Sequence, residues 1–175
     1  LRLKIYRIQK PVSLSRVMPV LENLGLVVVQ ETGFPVDRRA EEGQALDRAY
    51  VHDFEMKSDA LRGRSLEEYA GELESALLAM AEGRAEDDGF NRLIVEIGVT
   101  WREAAFLRTC ARYRQQTGLD PSQSIQEEAL AANPGIAKGL LELARVKFDP
   151  EFDGDMKVRG DAVWEVSQSL REQLD

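Results

Sequence analysis

Leu1, Leu3 and Ile5 alternate with Arg2, Lys4 and Tyr6, the period-2 rhythm of a half-buried strand over residues 1–8. Pro11 ends it. From Leu14 the spacing becomes helical: Leu14, Val17, Leu21 and Leu24 fall on one stripe, Ser13 or Ser15 supplies the cap, and Gly25 is the stop. Pro19 reads as lying near the start of this helix, where a missing N–H costs least. A second strand follows over residues 26–31, β-branched from Val27 to Val29. Residues 32–48, with two glycines, a proline and many charges, read as a long exposed hairpin connection with an unpaired tip. The third strand, residues 50–57, puts Tyr50, His52, Phe54 and Met56 on one face and Asp53, Glu55 and Lys57 on the other.

Ser65 and Glu68 form a capping box, which opens a helix through Tyr69, Leu73, Leu77 and Met80 towards Gly83. The order βαββα is most of a ferredoxin-like pattern, without its last strand. Everything after it reads as helix. A short helix covers residues 90–96, and Thr100 with Glu103 is a second capping box. On the helix it starts, Phe106, Leu107, Cys110 and Tyr113 form the expected buried side, with Arg108 and Arg112 opposite and Gly118 at the close. Ser124 and Glu127 make a third box. Asn133 and Pro134 open a further helix with Ile136, Leu140 and Leu143 on one side, stopped near Pro150. Residues 151–160 read as a charged loop, and a final helix from Asp161 carries Val163, Trp164 and Leu170. The expected architecture is α+β, with residues 1–84 forming the incomplete ferredoxin-like unit and residues 85–175 an all-helical region.

Composition narrows what such a fold does. A chain of 175 residues, 43% hydrophobic and 31% charged, buries one good core or two small ones. No apolar run reaches the roughly 18 residues needed to span a bilayer, because residues 24–29 are broken by Gly25. No membrane partner is expected. The opening residues lack the features of a signal peptide, and Leu1 in place of Met reads as a chain cut from a longer one. A net charge of -8 argues against nucleic acid as a partner, since phosphate neutralisation needs a dense basic face. A folded cytoplasmic domain is the expectation.

One cysteine, Cys110, excludes an internal disulfide, and one histidine, His52, excludes His-rich zinc sites. Cys110 is read as a buried, inert thiol. His52, on an apolar strand face, is read as a packed, hydrogen-bonded residue rather than a catalytic base. The turn after the first strand contains no glycine, so neither a dinucleotide fingerprint nor a P-loop is present there.

The acids Glu86, Asp87 and Asp88 raise the question of a metal site. The alternating ligands of a calcium loop do not follow them, so the reading is that Asp87 or Asp88 caps the next helix and Gly89 permits a bend. Arg102, Arg108, Arg112 and Arg114 make one locally basic helix. This is a solvated face or, in the sharper reading, a contact surface in which Trp101, Arg108 and Arg112 meet another domain or subunit. No catalytic, cofactor-binding or metal-binding residue is assigned.

Several ordered blocks carry a resemblance. They are the stretch from Pro11 to Ser15, then Leu21-Glu22-Asn23-Leu24-Gly25-Leu26, Tyr50-Val51-His52-Asp53-Phe54, the stretch from Glu86 to Glu103, Pro121 to Ser124, and Val146 to Pro150. In that order they resemble the large bacterial NAD-dependent glutamate dehydrogenases, over nearly the whole chain. The resemblance implies the last ACT-like unit and a helical motif from the part preceding the catalytic domain. It also implies, for the whole enzyme, oxidative deamination of L-glutamate to 2-oxoglutarate and ammonia with NAD, in an oligomer. No cofactor is implied for these residues themselves.

ACT domains often bind amino acids through the loop after the first strand, so an amino acid effector is a further implied partner. That loop lacks the glycine many such sites use, and Thr109-Cys110 departs from the expected small-aromatic pair before Ala111-Arg112-Tyr113. The resulting expectation is a non-catalytic regulatory and scaffolding segment, partnered by other domains and subunits of the parent enzyme. The alternatives are an amino-acid-sensing allosteric module and a free-standing interaction module.

Overall fold

Strand β1 (Arg2–Ile8), helix α1 (Leu14–Asn23), strand β2 (Val27–Asp37) and strand β3 (Arg48–Lys57) open the chain. In this computed structural model, which describes residues 1–37, 48–118 and 122–174, the sheet order is β1-β3-β2 with both pairings antiparallel. The alternating residues fall as the pattern requires. Leu3 and Ile5 turn inward, and Phe54 and Met56 are fully buried in one cluster with Leu21 of α1 and Leu24 at its C-cap. Helix α1 ends in a Schellman turn at Gly25, whose φ of 75° suits glycine, with the Leu26 N–H on the Leu21 carbonyl and the Gly25 N–H on that of Glu22.

Helix α2 (Ala70–Ala81) covers the same sheet face. A turn at Gly89–Asn91 leads to α3 (Arg92–Ile97), α4 (Trp101–Gln116), α5 (Gln123–Ala132), α6 (Pro134–Phe148) and α7 (Met156–Glu172). The fold is therefore an ACT-like α+β unit followed by a helical region. One hydrophobic core joins them, running from Leu21, Phe54 and Leu73 to Phe90, Leu93, Leu107 and Ala137. Among the described residues no helix is long and apolar enough to cross a membrane.

Several local expectations are corrected. Residues 32–37 are strand rather than connection, and the predicted hairpin tip lies outside the described residues. Pro19 sits inside α1, not at its start. Of the Ser65 box, the Ser65 N–H donates to the Glu68 carboxylate at 3.3 Å, but α2 itself starts at Ala70. Helix α5 starts at Gln123 with Ser122 at the N-cap position, so Glu127 accepts from Gln123 instead of closing a box with Ser124. Helix α7 begins five residues earlier than expected because the Asp155 carboxylate accepts from the N–H groups of Lys157 and Val158. Trp164 on it is exposed.

The pairing of β2 contains one irregularity. Val28 lies opposite Met56 and Gln30 opposite Glu55, so Val29 is an unpaired bulge residue. A bulge shifts the alternation by one. Glu31 consequently lies opposite Phe54, on the helix-covered face, where an unbroken strand would have turned it to the open face.

Candidate functional site

The two units meet at the acids of residues 86–88. Asp88 caps the short turn before α3, accepting from the Phe90 N–H at 3.1 Å. Its carboxylate also receives Arg108 of α4, with Nε on Oδ2 at 2.5 Å and Nη2 on Oδ1 at 2.8 Å. Arg108 is 3% exposed, and its Nη2 donates further to Oδ1 of the buried Asn91 at 2.9 Å. Asn91 in turn donates to the Glu86 carbonyl at 2.8 Å. A buried guanidinium is tolerated only when paired and hydrogen-bonded, and this bidentate arrangement meets that need.

The neighbouring acids spread the attachment. Asp87 accepts from Asn23 at the end of α1 (2.9 Å), and Gln123 of α5 donates to both Asp88 (3.0 Å) and Glu127 (2.7 Å). Glu86 pairs with Arg112, whose hydrogen bonds hold the carboxyl below its usual range and raise the guanidinium. A Cβ at Gly89 would lie 2.5 Å from Oε2 of Glu127, so a larger residue there displaces that side chain. The expected cap at Asp88 is present; the expected bend at Gly89 is instead a close approach.

Helix α4 presents a different face from the one expected. Ala104, Leu107, Arg108 and Ala111 are its buried residues, whereas Phe106 and Tyr113 are 39% and 68% exposed. The alanines let α4 approach closely, and Asp88 neutralises the arginine between them. Cys110 is exposed rather than buried, and partial desolvation pushes its thiol up, away from thiolate. Thr100 and Glu103 form the full reciprocal capping box. Trp101 is half-buried, with the guanidinium groups of Arg84 and Arg102 at 5.5 and 4.3 Å from its ring centre. Thus Arg108 faces inward, Arg112 remains on the surface beside Glu86, and Trp101 packs at the helix start.

A groove of about 380 Å³ lies between the β1–α1 connection and strands β2 and β3. His52, 7% exposed, forms part of its wall. Its Nε2 accepts the Val12 N–H at 3.0 Å, and its Nδ1 lies 2.8 Å from Oε1 of Glu31. Because a backbone N–H only donates, Nε2 carries no proton and the Nδ1 hydrogen points to Glu31. With both nitrogens engaged, the imidazole has no site free to act as a base towards a substrate. Gly33 makes room for the pair, as a Cβ there would stand 3.0 Å from Glu31 and 3.2 Å from His52.

Comparison with known proteins now decides the family. Residues 1–69 match the model of the glutamate dehydrogenase ACT3 domain, and residues 85–150 match that of glutamate dehydrogenase helical motif 3. The chain belongs to the glutamate dehydrogenase family. It is 36% identical over 149 residues to an NAD-specific glutamate dehydrogenase of Halomonas elongata and 34% identical over 148 residues to one of Pseudomonas aeruginosa. A third, from Mycobacterium tuberculosis, is 30% identical over 156 residues. These alignments cover 84–85% of this chain but 9% of each relative, so the chain spans about a tenth of their length.

The ACT3 match contains Val12, Glu31 and His52, and the helical motif 3 match contains Asp88, Trp101, Arg108 and Arg112. Sequence reading identified His52 but not its partners. Glu31 reaches it only through the bulge at Val29, and a backbone donor such as Val12 leaves no mark in composition.

Proposed function

We propose that this chain is a regulatory and scaffolding segment of an NAD-specific glutamate dehydrogenase and carries no catalytic residue of its own. In the whole enzyme the reaction is oxidative deamination of L-glutamate to 2-oxoglutarate and ammonia with NAD, in the cytoplasm. The observation that carries this reading is the ordered pair of matches, ACT3 then helical motif 3, whose residues share one hydrophobic core. We read residues 1–84 and 85–175 as its two structural units. Arg112 on the surface and the exposed part of Trp101, with Arg108 anchoring α4 to Asp88, form the face offered to other domains and subunits. The engaged nitrogens of His52 fit a structural role. Incubating the 175-residue chain with glutamate and NAD should yield no NADH; glutamate-dependent NADH formation by this chain alone overturns the non-catalytic assignment.

The groove beside the β1–α1 connection supports a second reading, an amino acid effector site. Glu31 offers a carboxylate towards a ligand ammonium, and Phe34, Tyr50, Pro11 and Leu14 offer apolar walls. Regulation through such a site requires that the effector bind two states of the enzyme with different affinity. Calorimetry of the chain with a panel of amino acids at about millimolar concentration tests it, and absence of heat with all of them leaves scaffolding alone.

A further inference from the structure

We propose that His52 is a proton-operated latch on the β1–α1 connection. The connection, residues 9–13, is tied back to the sheet at Val12, whose N–H donates to Nε2 of His52 across 40 positions of sequence. That bond exists only while Nε2 is bare. A second proton on the ring occupies the same lone pair, sets N–H against N–H and forces Val12 to find another acceptor. The ring itself keeps its place, because Nδ1 still faces the Glu31 carboxylate at 2.8 Å and the pair becomes an ion pair. Protonation therefore holds one side of the histidine and expels the other. Val12 lines the groove, so its release reshapes it whatever occupies it.

The charged and titratable groups around the ring leave this logic intact. Glu31 comes from β2 and Tyr50 from β3, and both line the groove with His52. Arg7 of β1 pairs in register with Tyr50 and is exposed, as are Lys10 of the connection and Arg16 in the first turn of α1. Asp53 belongs to the opposite face, beside Arg2 and Lys4. Of these groups, Glu31 makes the hydrogen bond to the ring.

The test is nuclear magnetic resonance on the 175-residue chain between about pH 8 and pH 5, where imidazole side chains change charge. At the upper end the ring nitrogens should report the Nδ1–H tautomer. On descent the Val12 amide resonance should shift with the same midpoint as His52. Its hydrogen exchange, corrected for intrinsic pH dependence, should rise by about three- to tenfold, the loss of one hydrogen bond. In His52→Gln the Val12 exchange should show no such step. A histidine that titrates while Val12 stays still overturns the latch, as does an Nε2–H tautomer or a ring that stays neutral throughout. The wild-type measurement decides even if the variant does not fold.

Discussion

Arg108 of α4 and Asp88 of the preceding turn, twenty residues apart in sequence, meet in a two-point ion pair, with Nε at 2.5 Å from Oδ2 and Nη2 at 2.8 Å from Oδ1. The pair fastens α4 to the turn that precedes α3. Removing one partner leaves the other charge uncompensated. Asp88→Asn, with Arg108 left buried, should cost about 3–5 kcal/mol, and Arg108→Met should strand a less deeply buried carboxylate and cost less. Urea denaturation of both variants and of the double variant checks this. The double variant should be much less destabilised than the sum of the two, and strict additivity would show that the pair is not coupled.

The contrast with the sequence reading is instructive at this helix. The large residues Phe106 and Tyr113 dominated the apolar pattern, but the buried stripe is Ala104, Leu107, Arg108 and Ala111. Alanine is a weak hydrophobic signal and arginine an opposing one. Only knowledge of where Asp88 lies in space turns that stripe inward. The capping box at Thr100 and Glu103 was legible because both hydrogen bonds close within one turn. The strand face of Tyr50, His52, Phe54 and Met56 was legible for the same reason, as its alternation is local. The Glu31–His52 pair was not, since Val27, Val28 and Val29 are all good strand residues and nothing among them marks which one bulges.

Glu86 and Arg112 make a pair of another kind, with each side chain about half exposed. Water and salt screen it, so Glu86→Gln should cost less than about 1 kcal/mol, and less again in high salt. The Arg112 hydrogen bonds lower the folded carboxyl's pKa. Its contribution is therefore present above the unfolded value and lost as pH falls through the lowered one. Denaturation midpoints of wild type and variant should converge in acid, and a gap that persists there would contradict the assignment.

Gly89 tests the close approach of α5 to the junction. Its added Cβ in Gly89→Ala would sit 2.5 Å from Oε2 and 2.9 Å from Cδ of Glu127, so that side chain must swing away and leave Gln123. A cost of about 1–2 kcal/mol follows from the crowding. Because the obstacle is the end of a flexible side chain, adding Glu127→Ala to the Gly89→Ala chain should recover part of the loss in a urea melt. If the second change recovers nothing, the strain lies in the backbone at residue 89 and not in this contact.

The carboxyl of Glu96 in α3 is shifted in the opposite direction from that of Glu86. Its Oε1 lies 3.3 Å from Arg92, but Oε2 is buried without a hydrogen-bond partner. Burial pushes the carboxyl's pKa up, and the Arg92 charge pulls it only partly back. The folded protein thus holds this proton more tightly than the unfolded chain. Stability from the protonated form is complete below the unfolded value and is lost as pH rises through the raised one. Glu96→Gln keeps the shape and removes the ionisation. Near pH 7 it should gain roughly 0.5 kcal/mol, the relief of desolvation less a weak ion pair with Arg92. Near pH 4, where the native side chain is itself largely neutral, the gain should disappear. Paired urea melts at the two pH values decide the matter, and a variant less stable than wild type at neutral pH would mean that the Arg92 pair outweighs the buried, unpartnered oxygen.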